Sequence, residues 1–179
     1  MVTKRAFTFV AIALWCATQT ATLHAQKAKA GAAAGGGGDH AAKAMQFAQA
    51  GAVDQALAEY AEAIKASPKE ARLYNDRGGL YLAMKKFPEA TADFSKAVEL
   101  SPKEYAAYSN RGASLNEQNQ LDAAMADLNK ALELKPNDPR TLERRGLVYH
   151  KLKNYDAALA DYDNALTQNP TSTLGLRRR

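Results

Sequence analysis

Hydrophobic and small residues recur along this chain at two spacings. Over short distances they fall at i, i+4 and i+7, as in Tyr74, Gly78 and Tyr81, and again in Ala90, Phe94, Ala97 and Val98. Each set lies on one face of a helix. Over longer distances the pattern returns every 34 residues, punctuated by Pro68, Pro102, Pro136 and Pro170. A fixed period of that size marks a repeat architecture in which each copy is one supersecondary unit. Pro88 falls in the first turn of the second half-repeat, where a missing N–H breaks no helical hydrogen bond. Pro102 stops that half and pushes Ser101 towards extended geometry. Each copy is therefore expected to form two antiparallel helices, and the fold to be all-α.

The small residues predict how closely the two helices approach. Gly78, Gly112 and Gly146 share one repeat position, which Ala44 fills in the first copy. A glycine inside a helix costs about 1 kcal/mol against alanine, so a close helix crossing is expected to offset it. Ala56, Ala90, Ala124 and Ala158, with Ala63, Ala97, Ala131 and Ala165, supply a facing small surface. Tyr60, Phe94, Leu128 and Tyr162 lie between them as large knobs.

These residues resemble the tetratricopeptide repeat. The second copy carries the pattern as Tyr74, Gly78, Tyr81, Ala90, Phe94, Ala97 and Pro102, and the fourth as Leu142, Gly146, Tyr149, Ala158, Tyr162, Ala165 and Pro170. The third has Leu115 and Leu128 in place of aromatics, and the first is degenerate in its front half, with His40 and Phe47 at the large positions. The resemblance covers residues 39–170 and implies a right-handed superhelical solenoid of four repeats, at about 37–70, 71–104, 105–138 and 139–172. It implies that the protein binds another protein or a peptide along the concave face lined by the first helices. Carried over by position, that face holds Arg72, Asn75 and Asp76, then Ser109, Asn110, Ala113 and Asn116, then Arg140, Arg144 and Leu147. Some relatives grip a terminal carboxylate with five such residues. Asn110, Arg140 and Arg144 match three of them, while Asn75 and Gly79 stand where a lysine and an asparagine belong. An acidic or carboxylate-bearing partner segment is therefore the expectation, without the complete clamp.

One departure recurs. Arg77, Arg111 and Arg145 replace the usual leucine before the glycine, and each is followed sixteen residues later by an acid, Asp93, Asp127 or Asp161. In the first copy the same places hold Lys43 and Glu59. A half-buried arginine keeps its stem apolar and needs an acceptor for its head. The pairs are read as a structural ion-pair ladder between the two helices, within a repeat or across to the next.

Outside the repeats, residues 1–25 read as a secretory signal. Lys4 and Arg5 give a positive start, Phe7 to Ala17 carries no charge, and Ala25 precedes Gln26. The apolar run is short for a membrane span, which needs about 18 residues or more. A periplasmic or secreted location follows as an expectation, with no stable membrane span in the mature chain. Cys16, the only cysteine, lies inside the run, so the mature chain has no thiol chemistry. Residues 26–38 are rich in Ala, Lys and Gly and read as a flexible tether, with Asp39 as the first N-cap. Residues 171–179 form a basic tail.

Charge then excludes one class of partner. The formal net charge is +5, but Lys4, Arg5, Lys27, Lys29 and the three terminal arginines are seven of the 24 basic residues. The remaining 17 face 19 acidic residues, a net of −2. A nucleic-acid binder carries its basic footprint on the folded surface, so none is expected here. No catalytic residues, metal site or cofactor are expected either: His40 and His150 fall in different repeats, and no nucleophile motif stands out. The alternative to a binding scaffold is a module that self-associates through an uncapped last repeat, where Leu174 and Leu176 follow Pro170.

Overall fold

The computed structural model describes residues 37–168. The signal, most of the tether, Pro170 and the tail with Leu174 and Leu176 lie outside the described residues. Eight α-helices follow one another, with no strand among the described residues: α1 (Gly37–Gln49), α2 (Val53–Ala66), α3 (Ala71–Ala83), α4 (Phe87–Leu100), α5 (Tyr105–Glu117), α6 (Leu121–Leu134), α7 (Pro139–Lys151) and α8 (Tyr155–Gln168). Taken in pairs, they are four copies of a helix–turn–helix unit, an all-α helical repeat fold.

Local chemistry sets the helix ends. Pro88 and Pro139 sit in the first turn of α4 and α7, where proline is pre-organised and loses no bond. Asp138 caps α7, its carboxylate accepting from the Thr141 N–H at 3.1 Å. At the far ends of α2, α4 and α6, the N–H of Ser67, Ser101 and Lys135 donates to the carbonyl four residues back, each at 2.9 Å. The turn inside each pair needs one left-handed residue. Gly51, Lys85, Asn119 and Lys153 supply it, one period apart, with φ of 76°, 59°, 59° and 61°. Only the first is the glycine that this region favours.

Gly37 and Gly38 belong to α1 rather than to the tether, and Asp39 lies in the first turn instead of capping it. Gly37 is buried, and a Cβ on it would stand 2.5 Å from Ser67 Oγ. A close approach, not freedom of the backbone, therefore accounts for that glycine.

The described residues fall into two compact units, one up to Leu73 and one from Tyr74. In the first unit, α1 packs on α2 around the buried Ala44, Ala56, Tyr60 and Ala63. In the second, Ala90, Phe94, Ala97, Ala124, Leu128, Ala131, Ala158, Tyr162 and Ala165 are almost fully buried. The repeated glycines are in contact with the knobs. A Cβ on Gly78 would meet Phe94 Cε1 at 2.8 Å, one on Gly112 Leu128 Cγ at 2.8 Å, and one on Gly146 Tyr162 Cε1 at 2.5 Å. Successive repeats share a further cluster, in which Val148 of α7 joins Leu115, Ala124 and Leu128, with Leu121 and Met125 packed beside it.

Candidate functional site

The first helices of the second unit present a row of polar side chains, and the ladder behind them holds those helices in place. Arg77 makes a bidentate pair with Asp93, both bonds 2.7 Å. Arg111 does the same with Asp127 at 2.7 and 2.8 Å, and Arg145 with Asp161 at 2.8 and 2.8 Å. The aspartates are buried. The hydrogen bonds that the guanidiniums donate to these carboxylates outweigh burial and raise each arginine above its ordinary value. The rungs also reach back one repeat: Arg111 Nη1 donates to Ser95 Oγ at 3.3 Å, and Arg145 Nη1 to Asn129 Oδ1 at 2.9 Å. Tyrosine rings flank the guanidiniums, with Tyr108 and Tyr149 each 5.7 Å from theirs.

The first repeat departs from the expected rung. Glu59 meets His40 Nδ1 at 2.6 Å, not Lys43, which is exposed. His40 stands one turn before Lys43 on α1 and takes the carboxylate first. The large-residue position that His40 was expected merely to fill thus carries an ionisable contact.

On the row itself, three of the expected face residues join hands. Asn110 Nδ2 donates to Asn75 Oδ1 at 2.9 Å, and Arg144 Nη1 donates to Asn110 Oδ1 at 2.9 Å. The same Nη1 reaches Ser109 Oγ at 2.7 Å. Ser109 is bonded in turn to Thr141 Oγ1 at 2.9 Å, and Thr141 donates to Asp138 at 2.8 Å. The result is a continuous polar line across α3, α5 and α7. Its end is anchored by Lys135, which bonds Asp138 at 2.8 Å and the Tyr105 hydroxyl at 2.8 Å. Burial alone would raise the Asp138 carboxyl, but the bonds from Lys135 and Thr141 prevail and hold it below its ordinary value.

The other expected face residues are placed differently. Arg140 is exposed, one turn before Arg144 on α7. Asp76, Ala113 and Leu147 are half-buried on the same three helices. Asn116 is not on an open surface: it is 5% exposed, and its carbonyl accepts from Lys151 Nζ at 2.6 Å. The long lysine of the next repeat covers it. Arg72 lies in the first unit, where its Nη2 approaches Met45 Sδ at 3.6 Å. Asp127, on the second helix of the third repeat, is committed to Arg111 and is not an acid for Arg140 or Arg144. Thr141, Asp138 and Lys135 were not anticipated, although an aspartate directly before Pro139 is a readable helix-start signal.

No group of three or more His, Cys, Asp or Glu residues among the described residues is placed to hold a metal ion. No described helix is long and apolar enough to cross a membrane.

Within the second unit, helix pairs that pack in succession with a polar row along their first helices define a class of helical-repeat interaction modules. Comparison with known proteins narrows it. Family models described as tetratricopeptide repeat match residues 41–105 and 139–172, and one described as TPR repeat matches 112–153. The chain belongs to the tetratricopeptide-repeat family. Among solved structures, the first TPR of Spaghetti (RPAP3) bound to the HSP90 peptide SRMEEVD is 28% identical, with a TM-score of 0.64, over 65% of this chain and 93% of that one. A crystal structure of MamA is 21% identical, with a TM-score of 0.68, over 75% of this chain and 79% of that one. The Arabidopsis OM64 TPR domain is 23% identical, with a TM-score of 0.59, over 60% of this chain and 89% of that one. No curated protein matches the chain.

Proposed function

We propose that this chain is an exported, non-catalytic scaffold that holds an acidic or carboxylate-bearing peptide or protein segment on the face built by the first helices of its second to fourth repeats. The observation that carries the reading is the line Asn75–Asn110–Arg144, with Arg140 exposed one turn away. The line is held in place before any partner arrives, which lowers the ordering cost of binding. It offers a guanidinium beside amides, a donor set suited to a carboxylate. The kinship with a repeat domain solved with the peptide SRMEEVD supports it. Arg140 and Arg144 also stand i, i+4 on one helix, where like charges repel by a few tenths of a kcal/mol. A bound carboxylate relieves that repulsion.

Calorimetry against a panel of peptides with acidic ends, each with a free and an amidated terminus, tests the reading. Free termini are expected to bind more tightly, and Arg140→Ala with Arg144→Ala to weaken binding at least tenfold, about 1.4 kcal/mol. Arg140→Ala alone leaves stability unchanged, because that side chain is exposed. Equal binding of free and amidated peptides, unaffected by either substitution, overturns the reading. Export rests on the charged start, the short apolar run and Ala25 before Gln26. N-terminal sequencing of protein from a periplasmic or secreted fraction should begin near Gln26, and an intact Met1 found only in membranes refutes it.

A further inference from the structure

Leu152, Tyr155 and Leu159 are exposed large apolar side chains, and all three lie in the last repeat. The repeat register explains their exposure. Leu121 and Met125 stand one period before Tyr155 and Leu159, and there they pack beside a cluster that includes Val148 from the next first helix. The surface around Tyr155 and Leu159 is the same docking surface one repeat further on. At the interior joint, Arg145 reaches back to the neutral acceptor Asn129, as Arg111 reaches Ser95. One period beyond Asn129 stands Asp163, a full carboxylate. At the other end of the chain, Lys43 holds the ladder position of the first repeat and is exposed, because Glu59 is bonded to His40. A cation without its rung and an acid in a neutral acceptor's place are two departures from the repeat that answer each other.

We infer that a second copy of this chain docks head to tail, its α1 lying on α8, with Lys43 of the second copy meeting Asp163. The interior joints supply the geometry. Gln46 of the second copy takes the place of Ser114 and Val148. A polar residue is accommodated there, since Ser114 donates to the Phe87 carbonyl at 2.9 Å and accepts from Thr91 at 2.9 Å. The corresponding carbonyl on α8 belongs to Tyr155. Gln49 takes the place of Lys151, which donates to the Asn116 carbonyl, and its corresponding acceptor is the His150 carbonyl. One level sets like charges together, Asp39 beside Glu143, with the exposed Arg140 on the same helix as Glu143. A back-to-back contact of two α8 helices is poorer, because it sets the acids Asp156 and Asp163 of one copy near those of the other. A head-to-tail contact joins different surfaces and does not close with two copies, so assembly grows with concentration. This inference does not depend on what the first-helix face binds.

Sedimentation of the full chain, purified as its host produces it, tests the inference over a concentration series. The mass is expected to rise steadily beyond two copies. Lys43→Glu and Asp163→Lys are each expected to weaken association at least tenfold, with unchanged circular dichroism. The two changes combined in one chain restore it. Mixing the two single variants also restores it, in alternating order, since the head of each then meets a tail of opposite charge on the other. A monomer at every concentration, a closed dimer, or an assembly indifferent to both charges overturns the inference. So does assembly that appears only after residues 171–179 are deleted, which assigns α8 to that segment instead.

Discussion

Replacing Arg111 by alanine removes the middle rung of the ladder and leaves Asp127 without its two strongest donors. The side chains are 23% and 10% exposed, so the pair sits between two limits. Stranding a fully buried charge costs about 3–5 kcal/mol, and an exposed pair contributes roughly 0.2–1 kcal/mol. Partial hydration of Asp127 in the gap left by the arginine lowers the first figure. Loss of the bond to Ser95 and of the contact with the Tyr108 ring adds to the cost. The expected loss is about 2 kcal/mol, read as the midpoint of urea unfolding at constant slope. Asp127→Ala should cost less, because Arg111 keeps Ser95 and its own exposed edge. A double-mutant cycle then isolates the pair, with an expected coupling of about 1 kcal/mol or more. Additive losses, or a loss below about 0.5 kcal/mol for Arg111→Ala, refute the assignment of the rung as a structural element.

Gly146→Ala gains about 1 kcal/mol of helix propensity but drives a methyl into Tyr162, which is 1% exposed. Overpacking of this kind costs about 1–3 kcal/mol, so thermal melting should show a net loss, while Ala44→Gly in the first repeat loses about 1 kcal/mol with no clash to relieve. Lys153→Gly should stabilise by about 0.5–1 kcal/mol, since its φ of 61° suits glycine, and an unchanged melting temperature contradicts that account of the turn. Asp138→Ala removes the α7 cap and the contact with Lys135, at a cost of about 0.5–2 kcal/mol at pH 7. The folded Asp138 carboxyl lies below its ordinary value, so its contribution is complete above about pH 4 and is lost as pH falls through the lower folded value. The gap in melting temperature between the two proteins should therefore close in strong acid and stay constant from pH 5 to 7.

The period, the helix pairs and the buried positions were legible because they rest on spacing alone. Gly78, Gly112 and Gly146 recur at the level of the knobs, and prolines mark the ends. The rungs were legible for a related reason: a cation and an acid sixteen residues apart recur within one chain. The first repeat shows where spacing stops being informative. His40 and Lys43 lie one turn apart on α1, and which of them reaches Glu59 depends on side-chain length and direction. Asn116 fails in the same way. Its helix position points to the open face, but the lysine one repeat later folds over it. Arg144 sits where the pattern puts it, yet its bonds to Ser109 and Asn110 need coordinates. Neighbouring repeats decide such contacts, and a period of 34 residues read copy by copy does not contain them.

The central claim is that partners are held on the first-helix face of the second unit. Site-specific photocrosslinking tests it most directly, with a photoreactive phenylalanine placed at Ala113 on α5 or at Ala126 on α6. Ala113 lies on the helix that carries Asn110, and Ala126 is exposed on the second helix of the same repeat. The account predicts that a bound acidic peptide crosslinks from position 113 and not from 126, and that free unlabelled peptide competes it away. Crosslinks from 126 with none from 113 contradict it.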